Sequence, residues 1–338
     1  MKKKIIIGAL LLCLLIGAFF AWKFFGSSVR VHDKENTYLY IRTGASADDV
    51  RNELVTQKFL SGTGWFNLVS KLLRYNSVKP GRYKMEQGMS LVNLVRLLKN
   101  GNQEPVKFVI TKIRTRENLA GRLGKAFEAD SAQFISFFNS LDSLDEFALD
   151  SNTVMAAALP YSYSIKWNTV PRDIFRQFYK SYTTFWNEER KEKAAQHGLT
   201  PVTATTLASI VDEETRAPSD KPLIASVYLN RIRKGMPLQA DPTIKFAMKN
   251  FELRRIYNTY LQTPSPYNTY MNKGLPPGPI CTAQVETIDS VINSPETNYV
   301  YFVASAAFDG THTFTSNYED HMKYARLYQQ ELNKRNIK

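Results

Sequence analysis

Hydrophobic patterning divides the chain into three kinds of segment. The first is an unbroken apolar run, Ile5–Trp22, about 18 residues behind Lys2, Lys3 and Lys4. That length suffices for a bilayer-spanning helix, with Lys23 able to snorkel and Phe24 and Phe25 extending the span. The second is an alternation of strand-like and helix-like pieces. Thr37–Ile41 alternates as a strand, and Ser46–Leu60 follows with Val50 and Leu54 on one helical face. Gly81–Met85 reads as a strand before a helix over Leu91–Leu98, capped by Ser90 and closed by Lys99 and Gly101. Val106–Ile110 and Arg116–Phe127 repeat the scheme more loosely. These units predict a small α+β module, too irregular in period for a solenoid.

The third kind is helical periodicity. Ala129–Gly198 is mostly helical by pattern, interrupted at Leu159–Trp167 by a proline and several aromatics that core packing would absorb. In Leu207–Thr243, Leu207, Ile210 and Val211 are spaced i, i+3, i+4, and Glu214 is the next position on that face. At ~100° per residue Glu214 lies within about 20° of Leu207, whereas Asp212 and Glu213 point to water. A second helix is expected after a Ser219 or Asp220 cap, with Pro222 in its first turn, Ile224, Val227, Tyr228 and Arg231 on one face, and Gly235 at its end. Asp241 before Pro242 reads as the N-cap of a third. Tyr267–Ile280 is too rich in Gly and Pro for helix or strand and suits the wall of a cleft. Tyr299–Ala304 reads as a buried strand pairing with His312-Thr313-Phe314.

The apolar run is read as an uncleaved signal anchor. Phe19, Phe20, Trp22, Phe24 and Phe25 crowd the place where a small-x-small cleavage site would stand, and Cys13 lies in no lipobox. The lysines then stay in the cytoplasm and the remainder faces outward. The formal net charge of +13 is spread along all 338 residues and serves solubility first, although it suits an anionic partner. No nucleic-acid-binding motif is present, so nucleic acid is excluded as a partner. Cys13 and Cys281 form no disulfide framework. Four histidines offer no metal-binding spacing, and nucleophile-elbow, Walker and dinucleotide motifs are absent. The expectation is therefore no metal, no cofactor and, if the chain is an enzyme, carboxylate chemistry. A carboxyl aimed into protein has a raised pKa, which suits a general acid. The same pattern equally fits a structural Glu paired to Arg216 or Arg231.

In order and spacing, the blocks ASIVDEET, VYLNRIRKGMPLQADPT, YNTY, GLPPGPI and HTF resemble the endolytic murein transglycosylase, or YceG-like, family. The anchor and the β-α module, which is similar to that family's LysM-like subdomain, match in arrangement. Upstream of the acid, Pro160-Tyr-Ser-Tyr163 stands where the family carries a Pro-Asp-Thr-Tyr-like motif. The resemblance implies an α+β protein in three parts: cytoplasmic lysines and transmembrane anchor over 1–27, a LysM-like module over 28–103, and a mixed α+β catalytic domain over 104–338. It implies a single-pass protein of the inner membrane with its C-terminal domain in the periplasm. Its activity would be a lytic cut between MurNAc and GlcNAc within nascent glycan strands, forming 1,6-anhydro-MurNAc ends and limiting strand elongation. Its partners would be peptidoglycan strands and peptidoglycan synthases. Glu214 maps onto the catalytic glutamate, and Asn230, Gln239, Asp241, Tyr267, Asn268 and Tyr270 match positions near the groove. Gln239 and Asn268 are the expected polar contacts to substrate or to Glu214. Two other readings stay open: a hydrolytic muramidase using Asp241 or Asp212 as second carboxylate, and a non-catalytic wall-binding scaffold.

Overall fold

A computed structural model describes residues 2–32, 37–253 and 255–335. In chain order its elements are α1 (Lys2–Phe25), β1 (Tyr38–Ile41), α2 (Ala47–Thr56), α3 (Gly64–Leu72), β2 (Gly81–Lys84), α4 (Leu91–Asn100), β3 (Val106–Val109) and α5 (Arg116–Ala126). They continue with α6 (Ser131–Asn139), α7 (Leu141–Leu144), β4 (Ser162–Ile165), α8 (Pro171–Phe185), α9 (Glu188–Gln196), α10 (Pro201–Glu214) and α11 (Lys221–Arg233). The last are α12 (Asp241–Ala247), α13 (Val285–Ile292), β5 (Tyr301–Ala304), β6 (His312–Thr315) and α14 (Tyr318–Lys334). This is a mixed α+β architecture whose strands form two-stranded sheets, β1 with β2, β3 with β4 and β5 with β6.

The chain groups into two compact units. The first takes residues up to Phe108 together with 126–129 and 164–170. Its antiparallel pair sets Leu39 opposite Tyr83 and Ile41 opposite Gly81. Period-2 alternation turns Leu39 and Ile41 onto one face, where they meet Val50 and Leu54 of α2 and Leu94, Val95 and Leu98 of α4 in a common core. Local signals stop these helices where they stop. Ser46 and Asp49 form a capping box at α2, and Ser90 caps α4 while Gly101, at φ 70°, takes the left-handed position after it. The helix expected over Ser46–Leu60 is shorter: it ends at Thr56, Lys58 turns left-handed at φ 60°, and the chain re-enters helix as α3. α1 carries a mean hydropathy of 2.7 in its apolar window, none of it buried by protein, and is long enough to cross a membrane.

The second unit takes residues 109–125, 130–163 and 171–338. Its aromatic run does pack as core: Phe147 and Phe175 meet edge to face at 4.9 Å, and Tyr163 of β4 packs on Phe178 at 4.5 Å. At its centre is α10, capped by a Thr200–Thr203 box with Pro201 in its first turn. Every residue from Ala204 to Val211 is buried, against α9, α11, α12 and α13. The irregular segment after Tyr267 passes along α10, where Ser209 Oγ accepts from the Ile280 N–H at 3.0 Å. Gly278 is required there: a Cβ would come within 2.0 Å of the Asn152 carbonyl oxygen. β5 and β6 pair antiparallel, with Ala304 opposite His312. β5 is half-buried rather than buried, because a two-stranded sheet covered by α14 leaves one face in partial solvent contact. The N-terminus of α11 also differs from expectation. Asp220 makes no cap bond; its carboxylate accepts instead from the backbone N–H of His312 at 2.7 Å and faces His312 Nδ1 at 2.9 Å.

Candidate active site

The three acids at the C-terminal end of α10 leave a helix with no solvent face, so all three meet protein. Asp212 and Glu213 therefore do not point to water as a one-sided helix would have them. The Asp212 side chain is 6% exposed and accepts from Lys221 Nζ at 2.8 Å, from the Gln284 N–H at 2.6 Å and from Thr287 Oγ1. Glu213 pairs with Lys112 Nζ at 2.8 Å and with Arg114 at 3.3 Å. Glu214 differs in kind. Among the described residues no cation stands within ion-pair distance of it, and its Oε1 accepts from the Tyr228 hydroxyl at 2.6 Å. Burial is the main cause that pushes its pKa up from 4.5 to about 7. The charges of Asp241 and Glu213 add to the rise, while the Tyr228 bond and Lys245 oppose it.

Glu214 opens into a cleft with an empty volume of about 630 Å3, shared with Tyr228, Arg231, Leu238, Gln239, Asp241, Tyr270, Phe302 and His321. Asp241 is not the cap of α12; Ala240 holds that position without a side-chain bond. The Asp241 carboxylate instead accepts from the Tyr270 hydroxyl at 2.6 Å. Burial first, and then that bond, hold the Tyr270 phenol protonated far above its ordinary range. Gln239 sits at a left-handed φ of 52°, pinned by its N–H to the Thr269 carbonyl at 3.1 Å. Arg231 donates to the carbonyls of Val300 and Leu238, each at 2.7 Å. It thereby ties α11 to the strand and loop that form the cleft walls, and it does not pair with Glu214.

Gln239, Asp241 and Tyr270 thus stand around Glu214. The other three residues proposed for the groove lie elsewhere in the same unit. Asn230 is buried and donates to the carbonyls of Thr297 and Tyr299, each at 2.9 Å. Asn268 is fully buried, its amide donating to the Leu261 and Thr263 carbonyls and accepting from the Tyr270 N–H at 2.9 Å. Both amides fasten backbone rather than face the cleft. Tyr267 packs on Phe246 at 4.6 Å beside a separate cavity lined by Arg114, Arg116 and Lys249. Sequence reasoning missed Tyr228 as the partner of Glu214, and it missed Leu238, Phe302 and His321. The placement of Tyr228 on the apolar face of α11 was a usable signal, because a buried phenol requires a hydrogen-bond partner.

The model of the YceG-like family matches residues 39–327. The chain belongs to that family. Relatives of this YceG-like chain include an endolytic murein transglycosylase of Bacillus subtilis, 27% identical over 335 residues that cover 92% of this chain and 90% of that one. Another, from Streptococcus pneumoniae, is 25% identical over 90% of this chain, which spans 61% of that longer protein. A yceG-like protein from Listeria monocytogenes has the same fold, with a TM-score of 0.56 at 24% identity, covering 85% of this chain and 98% of that one. Within this family member, the cleft holds one carboxyl that is half-protonated near neutral pH, with one oxygen fixed by a phenol. Such a group can donate a proton and later take one back. Among the described residues no cluster of three or more His, Cys, Asp or Glu could hold a metal ion.

Proposed function

We propose that this chain is an endolytic peptidoglycan lytic transglycosylase, anchored in the inner membrane by α1 with residues after the anchor in the periplasm. The observation that carries the reading is Glu214, without an ion-pair partner among the described residues, in a cleft, with its pKa pushed up to about 7. Protonated Glu214 donates to the glycosidic oxygen between MurNAc and GlcNAc, and the C1–O bond breaks with oxocarbenium character at C1. The resulting carboxylate takes the proton of the MurNAc C6 hydroxyl as its oxygen bonds to C1, closing the 1,6-anhydro ring. No water attacks, so no second carboxylate is needed. The family membership and the names of the relatives support this substrate class. Residues 28–103 are proposed as a LysM-like module and 104–338 as the catalytic region. Cuts within nascent strands would limit their elongation beside the synthases that make them.

The presence of Asp241 in the same cleft favours one competing reading, a hydrolytic muramidase with Asp241 activating water. Digestion of purified glycan strands separates the two. Transglycosylation leaves anhydro ends, lighter by one water than the reducing ends left by hydrolysis. Reducing ends as the main product would overturn the proposal in favour of the muramidase.

A further inference from the structure

The first unit carries an apolar helix face that its own core covers only at the Trp65 end. In α3, Phe66 and Val69 turn inward and are buried. Trp65, Leu68 and Leu72, spaced i, i+3, i+7, form a second stripe on another side. Leu68 is 37% exposed and Leu72 is 61% exposed, and Lys71 and Arg74 beside them are exposed as well. Trp65 is not free: its ring lies 5.8 Å from Phe19, 5.6 Å from Phe20 and 6.2 Å from Phe24 of α1, with Lys23 Nζ 5.9 Å away.

Those contacts set a depth. About 20 apolar residues span the hydrocarbon of a bilayer, so a span that starts at Ile5 reaches Phe24. Phe19 and Phe20 then lie on the order of 6–8 Å inside its outer edge, at 1.5 Å rise per residue. A tryptophan that touches both is held at the membrane–water boundary, where its amphipathic ring is favoured. Leu68 and Leu72 continue from Trp65 along the same stripe, and Lys71 and Arg74 supply charge for anionic headgroups.

We propose that α3 is a second membrane contact, which seats the first unit on the outer leaflet of the bilayer that α1 crosses. Its occupant is lipid: acyl carbons against Leu68 and Leu72, phosphate headgroups against Lys71 and Arg74. The inference rests on the reading of α1 as an anchor. Its consequence is that this unit does not swing on a free tether, because two elements fix it to the surface.

The test uses the full chain with Cys13→Ser, leaving only the buried Cys281, reconstituted at one chain per nanodisc of phosphatidylethanolamine and phosphatidylglycerol. A nitroxide is attached in turn at Ile16→Cys, Leu68→Cys, Leu72→Cys and Asp48→Cys. Collision with oxygen, which concentrates in lipid, is compared with collision with a water-soluble nickel chelate. The ratio of the two should be severalfold higher at 68 and 72 than at 48, and lower than that at 16, which lies near the middle of the span. A lipid-like ratio at 16 with water-like ratios at 68 and 72 sinks the inference and leaves the anchor standing. A water-like ratio at 16 sinks the anchor reading and the inference with it. Protection of 68 and 72 from both reagents means that protein covers the stripe, which also overturns the proposal.

Discussion

Replacing Glu214 by Gln should stabilise the folded chain, and only above mildly acidic pH. The amide has the shape of the protonated carboxyl and can still accept from the Tyr228 hydroxyl, so the two proteins are equivalent where Glu214 is neutral. A carboxyl whose pKa rises from 4.5 in the unfolded chain to about 7 in the folded one binds its proton more tightly when folded. Its contribution is therefore fully present below pH ~4.5, declines as pH rises toward ~7, and is gone above. A gap of about 2.5 units at ~1.4 kcal/mol each amounts to about 3–4 kcal/mol. Glu214→Gln escapes that loss. Urea unfolding of both proteins, in the same detergent, should give coincident midpoints near pH 4 and a variant more stable by up to ~3–4 kcal/mol at pH 8. The same variant should lose at least ~10²-fold in glycan cleavage, because it can neither give nor take a proton. A stability difference that is the same at both pH values would refute the argument, since it would mean that Glu214 ionises as freely in the folded chain as in the unfolded one.

Three further outcomes follow from the contacts of the cleft. Tyr228→Phe removes a hydrogen bond to the charged carboxyl, worth about 1.5–3 kcal/mol, so the alkaline limb of the pH–rate profile should move up by about one to two units; an unmoved limb would mean that the phenol does not set the Glu214 proton. Asp241→Asn removes a negative neighbour and should shift the same limb the other way, with anhydro ends retained; a switch in end chemistry or loss of all cleavage would assign Asp241 a direct role. Asp212→Asn should cost on the order of 3 kcal/mol of stability by leaving Lys221 without its counter-charge, while the folded fraction keeps its product type; wild-type stability would show that the pair is not structural.

Some of this molecule is decided by residues close together in sequence. Eighteen or so apolar residues behind three lysines make α1 whatever surrounds them, because a helix satisfies its own backbone. The Ser90 cap, the Gly101 stop and the i, i+3, i+4 stripe of α10 act within one or two turns, and the elements they predict are present. The position of Glu214 on that stripe was likewise local information. What surrounds Glu214 was not. A stripe says which face is apolar but not whether the opposite face is also covered, so periodicity alone turns Asp212 and Glu213 to water. Packing instead set them against Lys221, Lys112 and Arg114. The Tyr228 hydroxyl arrives from 14 positions along the chain, and the Tyr270 hydroxyl reaches Asp241 across 29. Asn230 and Asn268 are polar residues beside a cleft, yet a buried amide must first satisfy its hydrogen bonds, and nearby carbonyls took them. A carboxyl owes its pKa to desolvation and to the neighbours that tertiary packing brings, and periodicity encodes neither.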